Sequence, residues 1–380
     1  YPVNGNLYTQ DLQALQTAGA LGTNIAFENV AGYFPDPTSL QYFLGAEYQL
    51  PWGMVAKVDL IDTRGTHLNF FETQNLVNRI TDVAPEPTFG TFFQFQAGDR
   101  SNYNALQTQL TKTLQHGFEV GGTYTWSKVM SRGDADLLQP TEVQDNANPQ
   151  NDYGPAPFDI RNRLTINGLW RLPLTGWTNT QGYVAREILG GWELGGILST
   201  QTGLPVNVTN SASSYPADRP NWASGPKYVP GYRKFGTGLT HQYLNPCIAN
   251  MPSGFSSNCN NNFSQYESTP AYANILNAPA SGSLTGKSSN AQSTPGNLQR
   301  YSQYAPGYED LDLSLKKVFT LGEQRSFQIR MDTFDLFNHT NLTGVVATVN
   351  SANFGQLTTS TPGGLSSGAR QIQIGGRFEF

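Results

Sequence analysis

Charge is scarce in this chain. Asp, Glu, Lys and Arg make up 13% of its 380 residues, about half the share usual in a soluble globular domain. The balance is weakly acidic, a formal −5 at pH 7, and a nucleic-acid partner would call for a basic excess instead. Two cysteines are too few for a small disulfide scaffold. No stretch approaches the roughly 18 consecutive apolar residues of a membrane-spanning helix. With 39 Gly and 23 Pro, the chain is also a poor candidate for a coiled coil or helical bundle. The opening Tyr1-Pro2-Val3 has no initiator Met, basic n-region or apolar core, so it reads as an internal start, of a processed chain or a fragment. A large, loop-rich, all-β protein is what these exclusions leave.

The dominant pattern is period-2 alternation in segments of about ten residues. In 118–127, Phe118, Val120, Gly122, Tyr124 and Trp126 alternate with Glu119, Gly121, Thr123, Thr125 and Ser127. In 310–316, Leu311, Leu313 and Leu315 alternate with Asp310, Asp312, Ser314 and Lys316. The final stretch places Ile372, Ile374, Gly376, Phe378 and Phe380 on one face, against Gln371, Gln373, Gly375, Arg377 and Glu379 on the other. About nine such strands are expected, at 38–50, 54–64, 102–115, 117–130, 159–172, 190–208, 308–319, 324–337 and 369–380. Short connections (51–53, 115–117, 173–189, 321–324) alternate with long ones (65–101, 131–158, 209–307, 338–368). That asymmetry, with Tyr and Trp near strand ends, is the signature of an antiparallel up-and-down transmembrane β-barrel with long extracellular loops.

Residues 1–37 are then the end of an extracellular loop. Residues 38–380 are the C-terminal part of the barrel, interrupted by the long outer loop 209–307. An odd strand number leaves two open edges, which lipid does not tolerate, so the chain reads as part of a larger barrel. Cys247 and Cys259 fall close together in the polar loop; they are expected to form one disulfide, with two unpaired thiols as the alternative.

The last eight residues are the most specific signal. Gln373, Gly375, Phe378 and Phe380 form a polar–Gly–aromatic–aromatic series that resembles the terminal assembly signal of outer-membrane barrels, the strand that the barrel-assembly machinery reads by pairing with it. Further stretches carry a family resemblance: Thr63-Arg64-Gly65-Thr66-His67-Leu68, Ser101-Asn102-Tyr103-Asn104-Ala105-Leu106-Gln107, Tyr124-Thr125-Trp126-Ser127-Lys128, Phe158-Asp159-Ile160-Arg161-Asn162-Arg163, Gly190-Gly191-Trp192-Glu193-Leu194, Thr202-Gly203-Leu204-Pro205 and Phe334-Asp335-Leu336-Phe337-Asn338-His339-Thr340-Asn341. In these the chain resembles the C-terminal barrel of a TonB-dependent outer-membrane receptor of the Oar-like type, which carries a carboxypeptidase-regulatory-like domain. The resemblance implies a 22-stranded barrel closed around an N-terminal plug, in outer-membrane lipid, with import powered through TonB. Signal peptide, TonB box and plug would all precede Tyr1. The ligand stays open between a siderophore, an oligosaccharide and a peptide.

Chemistry-bearing motifs are few. His67, His116, His241 and His339 show no metal-ligand spacing and no HExxH, and there is no GxSxG elbow; no catalytic residue, cofactor or metal site is expected. Asp134, Asp136, Asp145, Asp152 and Asp159 are spread through 131–159 without the spacing of an EF-hand, and read as a solvated outer loop. Arg132-Gly133-Asp134 spells an adhesion tripeptide of a kind that chance supplies. Tyr215, Trp222, Tyr228, Tyr232, Tyr243, Tyr301 and Tyr304 are the candidate ligand contacts on the outer loops, since such rings are rigid and amphipathic; the alternative is that they pack the loops on one another. Arg161, Arg163 and Arg171 are expected to face the lumen and to pair with a plug or with Glu119. Two other functions fit the composition: a passive or adhesive outer-membrane barrel without TonB coupling, and a secreted β-sandwich binding module.

Overall fold

A computed structural model describes residues 14–15, 17–19, 28–30, 32–76, 84–85, 90, 92–132, 143–145, 148–174, 182–209, 218–222, 228, 243–244, 248–249, 276–277, 296–321, 325–339, 341–342, 344–349, 351, 353–358 and 370–380. Nine long strands build one antiparallel sheet: β1 (Thr38–Leu50), β2 (Met54–Gln74), β3 (Phe92–Gln115), β4 (Phe118–Ser131), β5 (Asn162–Arg171), β6 (Trp192–Gln201), β7 (Tyr308–Thr320), β8 (Ser326–Phe334) and β9 (Gln371–Glu379). Each pairs with its neighbours in sequence, so the order along the sheet is the order along the chain. This is the up-and-down wall expected. Among the described residues the path is open, with β1 and β9 at its edges. One sheet, rather than two packed face to face, sets aside the β-sandwich reading.

Register explains how the alternation becomes a surface. Leu44 faces Leu60, Leu60 faces Leu106, and Leu106 faces Trp126. Further along, Ile166 faces Leu198, Leu198 faces Leu311, Leu315 faces Met331, and Met331 faces Ile374. A slip of one residue anywhere would turn a strand's apolar side chains to the opposite face. No slip occurs along these rows, so one face is a continuous apolar surface and the other is mostly Gln, Thr, Ser, Asp, Glu, Lys and Arg. The apolar face is uncovered: Leu44, Tyr48, Leu60, Trp126, Ile166 and Ile374 are among its many exposed neighbours in the wall. Strands β5 and β6 have ten residues each, the length that crosses a bilayer when tilted about 45°.

Two expectations need correcting. Strands β2 and β3 run ten residues farther than the alternation indicates, so most of 65–101 is hairpin rather than loop. The alternation breaks there because the register shifts around His67, whose φ is 55°; a bulge re-aims the side chains beyond it. The outer loops also contain ordered structure: the strand expected over 190–208 ends at Gln201, Pro205–Val206 pairs instead with Gln303–Tyr304, and Val208, Leu244 and Leu298 form a small buried core with Val349 and Phe354 of 338–368. Cys247 and Cys259 lie outside the described residues.

The periplasmic-type turns are short, as expected. Gly191 in the β5–β6 connection has φ +65°, and a Cβ there would meet the Val318 carbonyl at 2.4 Å, so only glycine fits. Lys317, on the apolar face at this end, is buried and donates to the Glu187 and Gly190 carbonyls. Its ammonium lies 4.8 Å from the Phe319 ring centroid and 5.5 Å from that of Trp192. A cation that faces hydrocarbon is thus returned to the polar turn.

Face segregation makes a paired prediction. Leu313→Arg on the apolar face should cost about 2–4 kcal/mol in lipid, while an arginine at Ser314 on the opposite face should cost less than about 1 kcal/mol. Denaturant unfolding from vesicles measures both, and equal costs would refute the assignment of faces.

Candidate functional site

The polar face holds many of the wall's charges in neighbouring pairs. Near the short turns, Arg171 Nε is 3.3 Å from Glu193 Oε2, and Lys316 also contacts Glu193. Arg171 thus pairs with Glu193 on β6, not with Glu119, because register sets Glu119 opposite Leu169. Arg330 Nε lies 2.7 Å from Asp332 Oδ1, and Lys57 Nζ lies 2.9 Å from Asp59 Oδ2. Between β4 and β8 runs a groove of about 470 Å³ with Asn167, Gly195, Asp312, Ser314 and Asp332 in its lining. The glycine keeps its floor low.

At the outer end the strands are tied together by side chains that cap backbone groups. Asp159, fully buried, accepts the Val129 N–H at 2.7 Å. Ser127 Oγ donates to the Ile160 carbonyl at 2.8 Å, and Thr202 Oγ1 accepts the Asn162 N–H at 3.0 Å. Asn341 clasps Glu309 twice, accepting its N–H at 3.1 Å and donating to its carbonyl at 2.8 Å. Gly203 follows from the same crowding, since a Cβ there would sit 1.7 Å from the Ala305 carbonyl oxygen.

Above this rim sits a buried ionic layer. The Asp152 carboxylate bonds the Arg219 guanidinium and accepts the Gln144 N–H at 2.9 Å, while Arg219 Nε donates to the Leu298 carbonyl at 2.8 Å. Arg132 Nε is 3.4 Å from Asp99 Oδ1, its guanidinium 3.9 Å from the Phe70 ring centroid. Burial pulls both guanidinium groups below their ordinary pKa, and Asp152 and Asp99 oppose the shift. Asp152 and Asp159 had read as parts of a solvated acidic loop. Both are fully buried, and their chemistry is that of anchors. Arg132 is likewise spent on Asp99 and Phe70, which removes it from any adhesion tripeptide. The sequence carried a signal for Asp159, inside the Phe158–Arg163 motif, but none for Arg219.

Of the candidate ligand contacts, Tyr228, Tyr243 and Tyr304 are brought together. The Tyr228 and Tyr243 rings lie 5.1 Å apart against the loop core, and the Tyr228 hydroxyl accepts the Tyr304 N–H at 2.9 Å. The Tyr304 hydroxyl donates to Asp159 at 3.3 Å, beside Arg161, and burial raises the pKa of both Tyr228 and Tyr304. A cavity of about 760 Å³ adjoins them, with Tyr124, Leu164 and Thr200 in its wall. Those three belong to the apolar-face rows, so the cavity opens beside the rim rather than onto the polar face. Packing of the loops is therefore the role the geometry gives these tyrosines. Tyr301 lies apart, 4.8 Å beneath the Arg300 guanidinium; Trp222 belongs to the short pairing with Leu276; Tyr215 and Tyr232 lie outside the described residues. Gln373, Gly375 and Phe378 sit on the edge strand β9, and the Phe378 and Phe380 rings are stacked at 6.2 Å. Among the described residues, no group of three His, Cys, Asp or Glu side chains could hold a metal ion.

A family model described as an outer membrane beta barrel domain matches residues 2–373. The chain belongs to this family. The wall accordingly lies in the bacterial outer membrane, its apolar face toward lipid and its polar face toward the lumen. The outer-membrane barrel domain is similar in structure to the outer membrane transporter YddB from Escherichia coli, with a TM-score of 0.46, 7% identity, and coverage of 95% of this chain and 35% of that one. It is also similar to the ferric-catecholate import receptor Fiu from E. coli K12 (0.39, 10%, 91% and 28%) and to the ferripyoverdine receptor of Pseudomonas aeruginosa (0.42, 9%, 90% and 27%). The barrel domain thus spans between 27% and 35% of the length of these proteins. No curated protein sequence matches it.

The ionic layer can be tested directly. Asp152→Ala leaves the Arg219 charge buried and alone, which should cost about 3–5 kcal/mol, read as faster tryptic nicking of the outer loops in the folded protein. Adding Arg219→Met should recover most of the loss. A single variant as resistant as the parent would rule out a structural role for the pair.

Proposed function

We propose that the chain forms part of the wall of an outer-membrane receptor of the TonB-dependent, Oar-like type, which takes up a bulky ligand. The observation that carries this reading is the continuous polar face of a nine-stranded meander, grooved and lined with paired charges. A small closed barrel fills its interior with side chains; a wall this wide and polar on its inner face is suited to enclosing water or a plug. The open edges at β1 and β9 call for further strands, because unpaired backbone groups cannot face hydrocarbon. In this mechanism the ligand binds outside, the plug rearranges, and TonB supplies the force. Paired lumenal charges such as Arg171–Glu193 hold the wall neutral where the plug slides. A siderophore, an oligosaccharide and a peptide remain the ligand classes to compare.

The test is uptake by cells that express the whole protein, using labelled ferric siderophores, oligosaccharides and peptides. One class should accumulate inside, and a protonophore that collapses the energising gradient should abolish accumulation while surface binding persists. Accumulation indifferent to the protonophore would point to a passive barrel instead.

The same proposal assigns β9 to the barrel-assembly machinery. Among the described residues its outer edge is unpaired, and Phe378 and Phe380 offer alternate aromatic side chains to a strand added there. Phe380→Asp should lower the amount of heat-modifiable barrel in outer-membrane fractions several-fold, with little change in synthesis. Unchanged assembly would remove Phe380 from that role.

A further inference from the structure

A second concave surface lies on the apolar face, across β1 to β4. It is a groove of about 540 Å³, and its lining is ordered in two rows. The inner row is Leu44, Leu60, Leu106 and Trp126, in register from strand to strand; the next row outward is Tyr42, Asp62, Asn104 and Lys128. The groove is therefore greasy toward the membrane centre and polar at its outer end.

Position along the strand fixes its depth. Lys128 is ten residues above Phe118, which marks the turn end of β4. At about 3.3 Å per residue and a tilt of about 45°, that is about 23 Å, close to the roughly 25 Å height of the apolar band in such barrels. Lys128 thus sits at the headgroup boundary, and Trp126, two residues nearer the turn, lies about 5 Å below it. A Trp at this level suits the interface in its own right.

The charges decide what the groove attracts. Asp62 is neutralised within its own strand: Arg64 Nε donates to Oδ1 at 3.1 Å and Arg64 Nη2 to Oδ2 at 3.2 Å. Lys128 has no hydrogen-bond or ion-pair partner among the described residues, although it is half-buried. This contrasts with Lys317 at the opposite end of the same face, whose ammonium is held by two carbonyls. Arg161 also lines the groove, so the net field at its outer end is positive, with the Asn104 amide and the Tyr42 phenol beside Lys128.

We propose that the groove seats one membrane lipid with an anionic phosphate headgroup, its phosphate on Lys128 and an acyl chain along Leu44, Leu60, Leu106 and Trp126. The phosphate oxygens complete the lysine's donors with charge-assisted bonds. The site is lateral to the lumen and independent of which ligand the receptor carries.

The whole protein in detergent, stripped of native lipid, tests the proposal with dioleoyl phosphatidylglycerol, dioleoyl phosphatidylcholine and inorganic phosphate. Bound lipid is counted by native mass spectrometry and stability by thermal melting. Phosphatidylglycerol should be retained and should raise the melting temperature, the other two should not, and Lys128→Gln should weaken its retention about tenfold. Heat-modifiability on gels checks that the variant is folded. Equal retention of the two lipids, protection by inorganic phosphate alone, or a Lys128→Gln variant that binds like the parent would each overturn the proposal.

Discussion

Hydrocarbon offers no hydrogen bonds, and that constraint organises this molecule. Every backbone N–H and C=O at membrane depth must find its partner within the sheet, so strand register has to be kept across the whole wall. Side chains obey the same rule. Lys317 shows it most clearly: its charge faces lipid, and the wall accommodates it by bringing two turn carbonyls to the ammonium and two aromatic rings over it. The turn can come that close because Gly191 takes a positive φ against the Val318 carbonyl. A turn residue, a lysine and a tryptophan thereby form one device that closes the inner end of β6 and β7.

The outer end is closed by different means. Strands there run into loops, and backbone groups that lose their ladder partners must be satisfied individually. Asp159, Ser127, Thr202 and Asn341 do this, each from a different strand junction. These residues lie within or beside the short motifs that give the chain its family resemblance. The motifs are therefore rim fastenings, which is why they identify a barrel so well and say so little about its cargo. Cargo chemistry belongs to the loops that the fastenings support, and loops are free to vary.

Much of the wall was legible in the sequence because a wall of this kind has only one rule, alternation with period 2. Phe118 to Trp126 and Leu311 to Leu315 announce their faces without any tertiary information. The rule fails where the structure departs from it. At His67 the bulge reverses the faces, so the ten outer residues of β2 and β3 look irregular although they are paired. Arg171 could not be matched to Glu193 rather than Glu119, since both neighbouring strands offer a carboxylate and only register chooses. The ionic layer was hidden for another reason: Asp152 and Arg219 are 67 residues apart, and nothing local distinguishes a buried aspartate from a solvated one in a polar loop. Tyr228, Tyr243 and Tyr304 were visible as a group by composition, but not their packing on a loop core.

The two edges of the sheet make the strongest argument about what completes it. Strand β1 exposes Leu40, Tyr42, Phe43, Leu44 and Tyr48, and β9 exposes Ile372, Ile374 and Phe378. Proteins that keep an open edge in water blunt it with charge, proline or a bulge. Here β1 has Glu47 alone among charged residues between Thr38 and Leu50, and no proline. Edges so unprotected are built to be paired, and in a membrane they must be paired with strands whose faces continue the same segregation. Curvature carries the same implication: adjacent strands in a sheet rotate by about 20–25°, so a wall extended from both edges tends to close. A closed wall leaves the polar face as the lining of a lumen, and the Arg171–Glu193–Lys316 and Arg330–Asp332 groups then face whatever fills it.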